Sequence, residues 1–195
     1  MNKIRDLSKY KGLLVIGTAR SGSHMACDMM YNSSTITNKI NLYEVTQLPN
    51  PDNTFPFFSI VGSHHRSLLS LDLSWARDFY IVNIRRRDKI AQYLSQCVLK
   101  AQIDTGIPRH TPLWDEYRHY IPRRADIDDI NYFIMDQWLD LAFNPNQILY
   151  YEDIVNSGIH TVFTKNQYQT VQPTDIVQDY ELVKRMLSGF SYNNR

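Results

Sequence analysis

The stretch Gly12-Leu-Leu-Val-Ile-Gly-Thr-Ala-Arg-Ser-Gly-Ser-His24 decides how this chain is read. Four apolar residues, Leu13 to Ile16, have the length and character of a buried strand. A loop bounded by Gly17 and Gly22 follows, and Met25 to Tyr31 continue as an apolar, helix-like segment. Strand, glycine loop and helix in that order aim several backbone N–H groups at one anion.

The spacing of the two glycines is that of a Walker phosphate loop, in which a lysine reaches the terminal phosphates and a hydroxyl holds magnesium. Here Ser23 and His24 follow Gly22, so the magnesium–nucleotide half of the motif is missing. What remains is an anion cradle with one internal cation, Arg20, and two hydroxyls, Ser21 and Ser23. That inventory suits a 5′-phosphate or phosphosulfate bound without a metal. The loop alone is weak evidence, because strand-to-helix turns in general favour Gly and Ser; the rest of the chain has to decide.

The 195 residues are expected to form one domain, 1–195, large enough to bury a core. A net charge of +1 gives no global electrostatic case for a nucleic-acid partner. Cys27 and Cys97 fall in helix-like patterns without metal-ligand spacing and read as buried small hydrophobes. The first eight residues lack the apolar core of a signal peptide, and no apolar run is long enough to span a membrane. The default expectation is a soluble, cytoplasmic protein. Its oligomeric state is open, a homodimer among the options.

Strand-like runs recur at Leu13–Ile16, Phe57–Val61, Phe79–Ile84 and Gln147–Tyr151, with helix-like segments between them. This pattern predicts an α/β fold with a central, mainly parallel sheet flanked by helices. Ile90, Leu94, Cys97, Val98 and Ala101 share one helical face, so Asp88 to Gln102 reads as an amphipathic helix with Asp88 as its N-cap. Asp126 to Phe143, carrying Ile130, Phe133, Ile134, Trp138 and Leu141, reads as another. Leu48–Pro56 and Thr105–Pro112 read as loops, and Asp175–Leu187 as a helix with Gly189 near its C-cap.

A second anion site is suggested where the run Phe79 to Ile84 ends in Arg85-Arg86-Arg87 and Asp88 opens a helix. The bland alternative is a solvated basic turn paired with surface carboxylates. With both sites in view, the chain resembles the sulfotransferases that use 3′-phosphoadenosine 5′-phosphosulfate. Ala19-Arg20-Ser21-Gly22-Ser23 matches their first motif. Arg87 and Ser95, eight residues apart, match their second, which holds the 3′-phosphate. Arg-Arg-Arg-Asp-Lys-Ile-Ala-Gln (85–92) is closest to the small bacterial, trehalose-type branch. Tyr150-Tyr151-Glu152-Asp153 matches a third element, whose tyrosine lies near the adenine in cytosolic members. The resemblance implies a fold related to P-loop kinases. It covers residues 13 to 153. The Arg-Lys-Gly segment of cytosolic members is not visible, and Lys165 and Gln169 lie in a candidate replacement loop.

The resemblance implies transfer of a sulfuryl group to a hydroxyl of a carbohydrate or other small metabolite, releasing 3′,5′-adenosine diphosphate, with no metal expected. Arg20 would stabilise the oxygen bridging sulfur and phosphorus, with Ser21, Gly22, Ser23 and His24 around the 5′-phosphate. Two residues are candidates for the general base. Glu44 stands where trehalose-type members use a glutamate, and His64 stands where cytosolic members use a histidine; a surface glutamate and a core histidine are the plain alternatives. His24 either enters the site or continues the first helix. His65 and Arg66 could contact an anionic acceptor. The segment from Arg109-His110 to Arg123-Arg124, with Trp114 and Tyr117, reads as a lid or a solvated loop. Glu152 and Asp153 read as structural, and Trp138 as core. The other readings are a P-loop nucleotide or small-molecule kinase, against which the missing lysine counts, and a catalytically silent nucleotide-binding module.

Overall fold

A computed structural model describes residues 7–45, 49, 53–61, 73–106, 124–127, 130–131, 136–157 and 173–190. Five strands, β1 (Gly12–Gly17), β2 (Lys39–Glu44), β3 (Phe55–Val61), β4 (Phe79–Arg85) and β5 (Gln147–Tyr150), form one sheet in the order β2-β3-β1-β4-β5. Every pairing in it is parallel. Contacts divide the chain into two compact units, Met1–Arg86 with Met135–Phe163 and Arg87–Ile134 with Thr164–Arg195.

The first unit holds the sheet. Central strand β1 is buried along its whole length, as a strand covered on both faces must be. Leu13, Val15, Phe57, Tyr80, Val82 and Ile84 face one layer, closed by α1 (Ser23–Ser33) through Ala26, Cys27 and Met30. Ile154 joins the same layer from the helix that follows β5. Leu14, Ile16, Phe58, Ile60, Phe79 and Ile81 face the other layer. It is closed by Ala76 of a 3-10 turn, Leu73–Asp78, and by Leu139 and Phe143. Burying a side chain such as Leu13 or Ile16 contributes about 1.5–3 kcal/mol.

Topology defines one special place on this sheet. From β1 the chain leaves through α1 toward β2; from the neighbouring β4 it continues toward β5, on the opposite side. Adjacent strands whose connections diverge leave a crevice beyond their carboxyl ends, where α/β proteins bind ligands. The loop from Gly17 to Gly22 and the arginines that end β4 both lie at that edge.

In the second unit, α2 (Lys89–Thr105) starts at Asp88, whose Oδ1 accepts the Ala91 N–H at 2.8 Å, as expected of the N-cap. Its buried side bears Tyr93, Cys97, Val98 and Ala101, but also Lys89, Gln92, Ser95 and Gln102, while Ile90 and Leu94 are only half-buried. The Lys89 ammonium donates to Gln92 Oε1 at 3.1 Å. The Asp126 N–H donates to the Tyr93 hydroxyl at 3.0 Å.

Of the helix expected over 126–143, Asp136–Phe143 (α3) is helical, as are residues 127, 130 and 131; residues 128, 129 and 132–135 lie outside the described set. The expected inward face needs correction. Trp138 is 41% exposed and Leu141 84%. The inward residues are instead Leu139 and Phe143, because Asp140, between them, turns to the end of β4. After β5 the chain enters α4 (Tyr151–Asn156), so Tyr151 opens a helix rather than ending the strand. The expected tail helix is two, α5 (Pro173–Ile176) and α6 (Tyr180–Ser188), separated by a turn. The expected loop 48–56 gives way to β3 at Phe55. Both cysteines are free and buried.

Asp140 answers for one of the three arginines. It forms an ion pair with the buried Arg85 guanidinium and accepts from Asn83 Nδ2 at 2.7 Å. Removing one partner of such a pair leaves a buried charge uncompensated. Asp140→Ala should therefore cost about 3–5 kcal/mol, measured by urea denaturation, and Asp140→Asn less. A loss within about 0.5 kcal/mol, the range of ordinary surface substitutions, would show that the pair does not hold α3 to β4.

Candidate functional site

The turn after β1 closes on itself. The Ser21 N–H donates to the Thr18 carbonyl at 3.2 Å. Gly17 is required by space: a Cβ there would stand 2.5 Å from Ser21 Oγ and 2.7 Å from the Ile84 carbonyl oxygen of β4. Arg20 and Gly22 both take left-handed backbone, with φ of 61° and 97°. For a non-glycine residue this is uncommon, costs on the order of 1–3 kcal/mol, and is frequent at ligand-binding turns.

Gly22 is the N-cap of α1, whose first turn receives no side-chain cap among the described residues; its own carbonyl accepts the Ala26 N–H at 2.9 Å. The first-turn N–H groups thus face the loop, where the helix dipole favours an anion. Ser21 Oγ is buried and has no hydrogen-bond partner among the described residues. Such an atom calls for an explanation, and an absent ligand is one.

Tyr151 packs directly on Gly22, and His24 lies two residues along the chain from it. On the β4–β5 side, a Cβ at Gly22 would lie 2.6 Å from Tyr151 Cδ2. The Arg86 guanidinium stacks over that tyrosine ring, 4.6 Å from its centroid. On the β2 side, His24, in the first turn of α1, meets Tyr43 edge-on with ring centroids 5.5 Å apart. The acidic residues Glu152 and Asp153 lie in the first turn of α4, where they complement its dipole. They are on a helix, not at a strand end as the sequence suggested.

Below His24, one turn along α1, Asp28 is buried and its Oδ1 accepts from Asn41 Nδ2 at 2.9 Å. The nearness of that carboxylate, more than burial, pushes the Tyr43 phenol pKa up. Burial, and then the charge of Asp28, push the Cys27 thiol well above its ordinary range despite the opposing Ser59 hydroxyl. Cys27 is therefore an inert core residue.

The structure brings Arg20, Ser21, Gly22, Ser23, His24 and Tyr151 together at one turn. Glu44 is the last residue of β2, in register with Ser59 of β3. Arg87 and Ser95 belong to the second unit, Arg87 just before the cap of α2 and Ser95 buried two turns into that helix. His64, His65, Arg66, Trp114, Tyr117, Lys165 and Gln169 lie outside the described residues, as does most of the 109–124 segment. Sequence reasoning placed Arg86 in the second anion site only as part of the run Arg85–Arg87, and singled out neither Tyr43 nor Asp28. For Arg86 the signal was present in the basic run; for Tyr43 and Asp28 it depended on recognising β2.

Fold and site together define an α/β protein with a five-stranded, all-parallel sheet, flanking helices and a glycine-bounded turn at the switch point. No protein-family model, curated protein or solved structure matches this chain. Among the described residues, no helix is long and apolar enough to cross a membrane, and no three His, Cys, Asp or Glu side chains group as metal ligands would.

Gly22→Ala tests the turn. Left-handed backbone costs an L-residue about 1–2 kcal/mol, and the added methyl would meet the Tyr151 ring. A loss of at least that size is expected in urea denaturation, with Tyr151→Ala in the same chain recovering only the part due to contact. An unaltered midpoint would contradict the turn geometry.

Proposed function

We propose that this chain is a sulfotransferase that moves the sulfuryl group of 3′-phosphoadenosine 5′-phosphosulfate onto a hydroxyl of a carbohydrate or other small metabolite. The observation that carries the reading is the turn itself. A buried, unpartnered serine hydroxyl and an uncapped helix start meet an internal arginine at the switch point, and the position after Gly22 is Ser23 rather than lysine. These features favour an anion that arrives without magnesium.

In the proposal the 5′-phosphate of the donor accepts from the N–H groups of Gly22, Ser23 and His24 and from the Ser21 and Ser23 hydroxyls. Arg20 faces the oxygen between phosphorus and sulfur. The acceptor oxygen attacks sulfur, the bond from sulfur to the phosphate oxygen breaks, and the acceptor proton passes to a base. Charge builds on the leaving oxygen, so an arginine fixed there lowers the barrier without any covalent chemistry by the protein. Arginine grips two oxygens and stays charged throughout. Glu44 and His64 are the candidate bases. Arg87 and Ser95 are assigned the 3′-phosphate on their sequence spacing alone. Tyr151 acts as a post between Gly22 and Arg86, setting the second cation beside the loop. Lys165 remains a candidate donor ligand from sequence.

The test is a thermal shift. 3′,5′-Adenosine diphosphate in the presence of a chelator should raise Tm by an amount that grows with ligand concentration. Arg87→Ala should weaken that ligand by tenfold or more, on the order of one charge-assisted hydrogen bond, and adenosine 5′-monophosphate much less. A shift from ATP–magnesium but none from 3′,5′-adenosine diphosphate would favour the kinase reading. Tight binding without transfer to any hydroxyl would leave a nucleotide-binding module.

A further inference from the structure

One cluster beside the loop is not used by the mechanism above. Strand β2 does not run straight: its register with β3 shifts between Asn41 and Tyr43, and Tyr43 takes a φ of 53° in the middle of a strand. Bulges of this kind re-aim a side chain and are frequent next to active sites. Asn41 holds the deformation from both ends. Its Oδ1 accepts the Tyr43 N–H at 3.1 Å, and its Nδ2 donates to Asp28 on α1 at 2.9 Å. The re-aimed Tyr43 sets its ring edge-on to His24. His24 and Asp28 stand four residues apart on α1 and therefore share one helix face. Three residues from two elements thus fix the imidazole at the β2 side of the anion turn.

The sidedness gives this imidazole a task. Arg86 and Tyr151 flank Gly22 on the β4 side, where the basic run follows the strand. A phosphosulfate whose nucleotide end is drawn to that side presents its other end, the sulfuryl group, toward β2. The geometry points to His24 as a hydrogen-bond donor to the sulfuryl oxygens, with Tyr43 as its positioning residue and Asn41, held by Asp28, as the anchor of Tyr43. The imidazole would then distinguish the loaded donor from the spent nucleotide, which lacks that group. This inference rests on the sulfuryl-donor reading above.

The experiment compares two ligands by calorimetry: 3′-phosphoadenosine 5′-phosphosulfate, which carries the sulfuryl group, and 3′,5′-adenosine diphosphate, which does not. His24→Ala should weaken the first about tenfold, the worth of one hydrogen bond to a charged group, and the second less than about twofold. Tyr43→Ala should reproduce the selective loss although it never touches the ligand. Tyr43→Phe, which keeps the ring against His24, should restore most of it. Should Tyr43→Ala prove unstable, His24→Gln and Tyr43→Phe carry the comparison; His24→Gln is expected to keep part of the selectivity. Equal losses for both ligands, or none, in His24→Ala and His24→Gln would overturn the assignment while leaving the donor reading intact. A wild-type protein that binds neither ligand would overturn that reading and this inference with it.

Discussion

The site depends on how closely the turn after β1 can approach β4. Gly17 lies so near the Ile84 carbonyl and the Ser21 hydroxyl that no side chain fits there. The missing Cβ lets the loop fold back over its own strand, which in turn buries Ser21 and puts Gly22 at the start of α1. Gly22 then meets Tyr151 at equally short range, so the helix after β5 is registered against the loop through a ring rather than through the backbone. Two glycines without side chains and one tyrosine ring connect strands β1, β4 and β5 at a single point.

Each of the arginines that close β4 has a different environment. Arg85 is buried in an ion pair with Asp140, which ties α3 to the sheet. Arg86 lies over Tyr151, beside the anion turn. Arg87 leads into the capped start of α2. A run that looks uniform in sequence therefore divides into a structural residue, a cation next to the loop, and one that begins the second unit.

Much of this was legible in the chain. Four of the five strands announced themselves as apolar runs, since both faces of a parallel sheet are covered and alternation is not needed. The glycine spacing and the Asp88 cap were equally plain. Strand β2 was not, because Lys39-Ile-Asn-Leu-Tyr-Glu44 lies at the sheet edge, alternates polar residues, and is interrupted by a bulge that breaks its period of two. Losing that strand hid Tyr43 and also Asn41, the partner of the buried Asp28. The helical face of α3 was misjudged for a different reason. Trp138 and Leu141 fit an apolar stripe drawn over a longer helix, but Asp140 answers Arg85 and rotates Leu139 inward instead. The break between α5 and α6 leaves no mark that periodicity alone can detect.

The central claim is that the Gly17–Gly22 turn holds the 5′-phosphate of a phosphosulfate donor without magnesium. A crystal structure with 3′,5′-adenosine diphosphate and a chelator tests it most directly. The account predicts the 5′-phosphate in front of the Gly22, Ser23 and His24 N–H groups, with Ser21 Oγ donating to it and Arg20 beside it. A nucleotide bound elsewhere, or a turn left empty at saturating ligand, would contradict it.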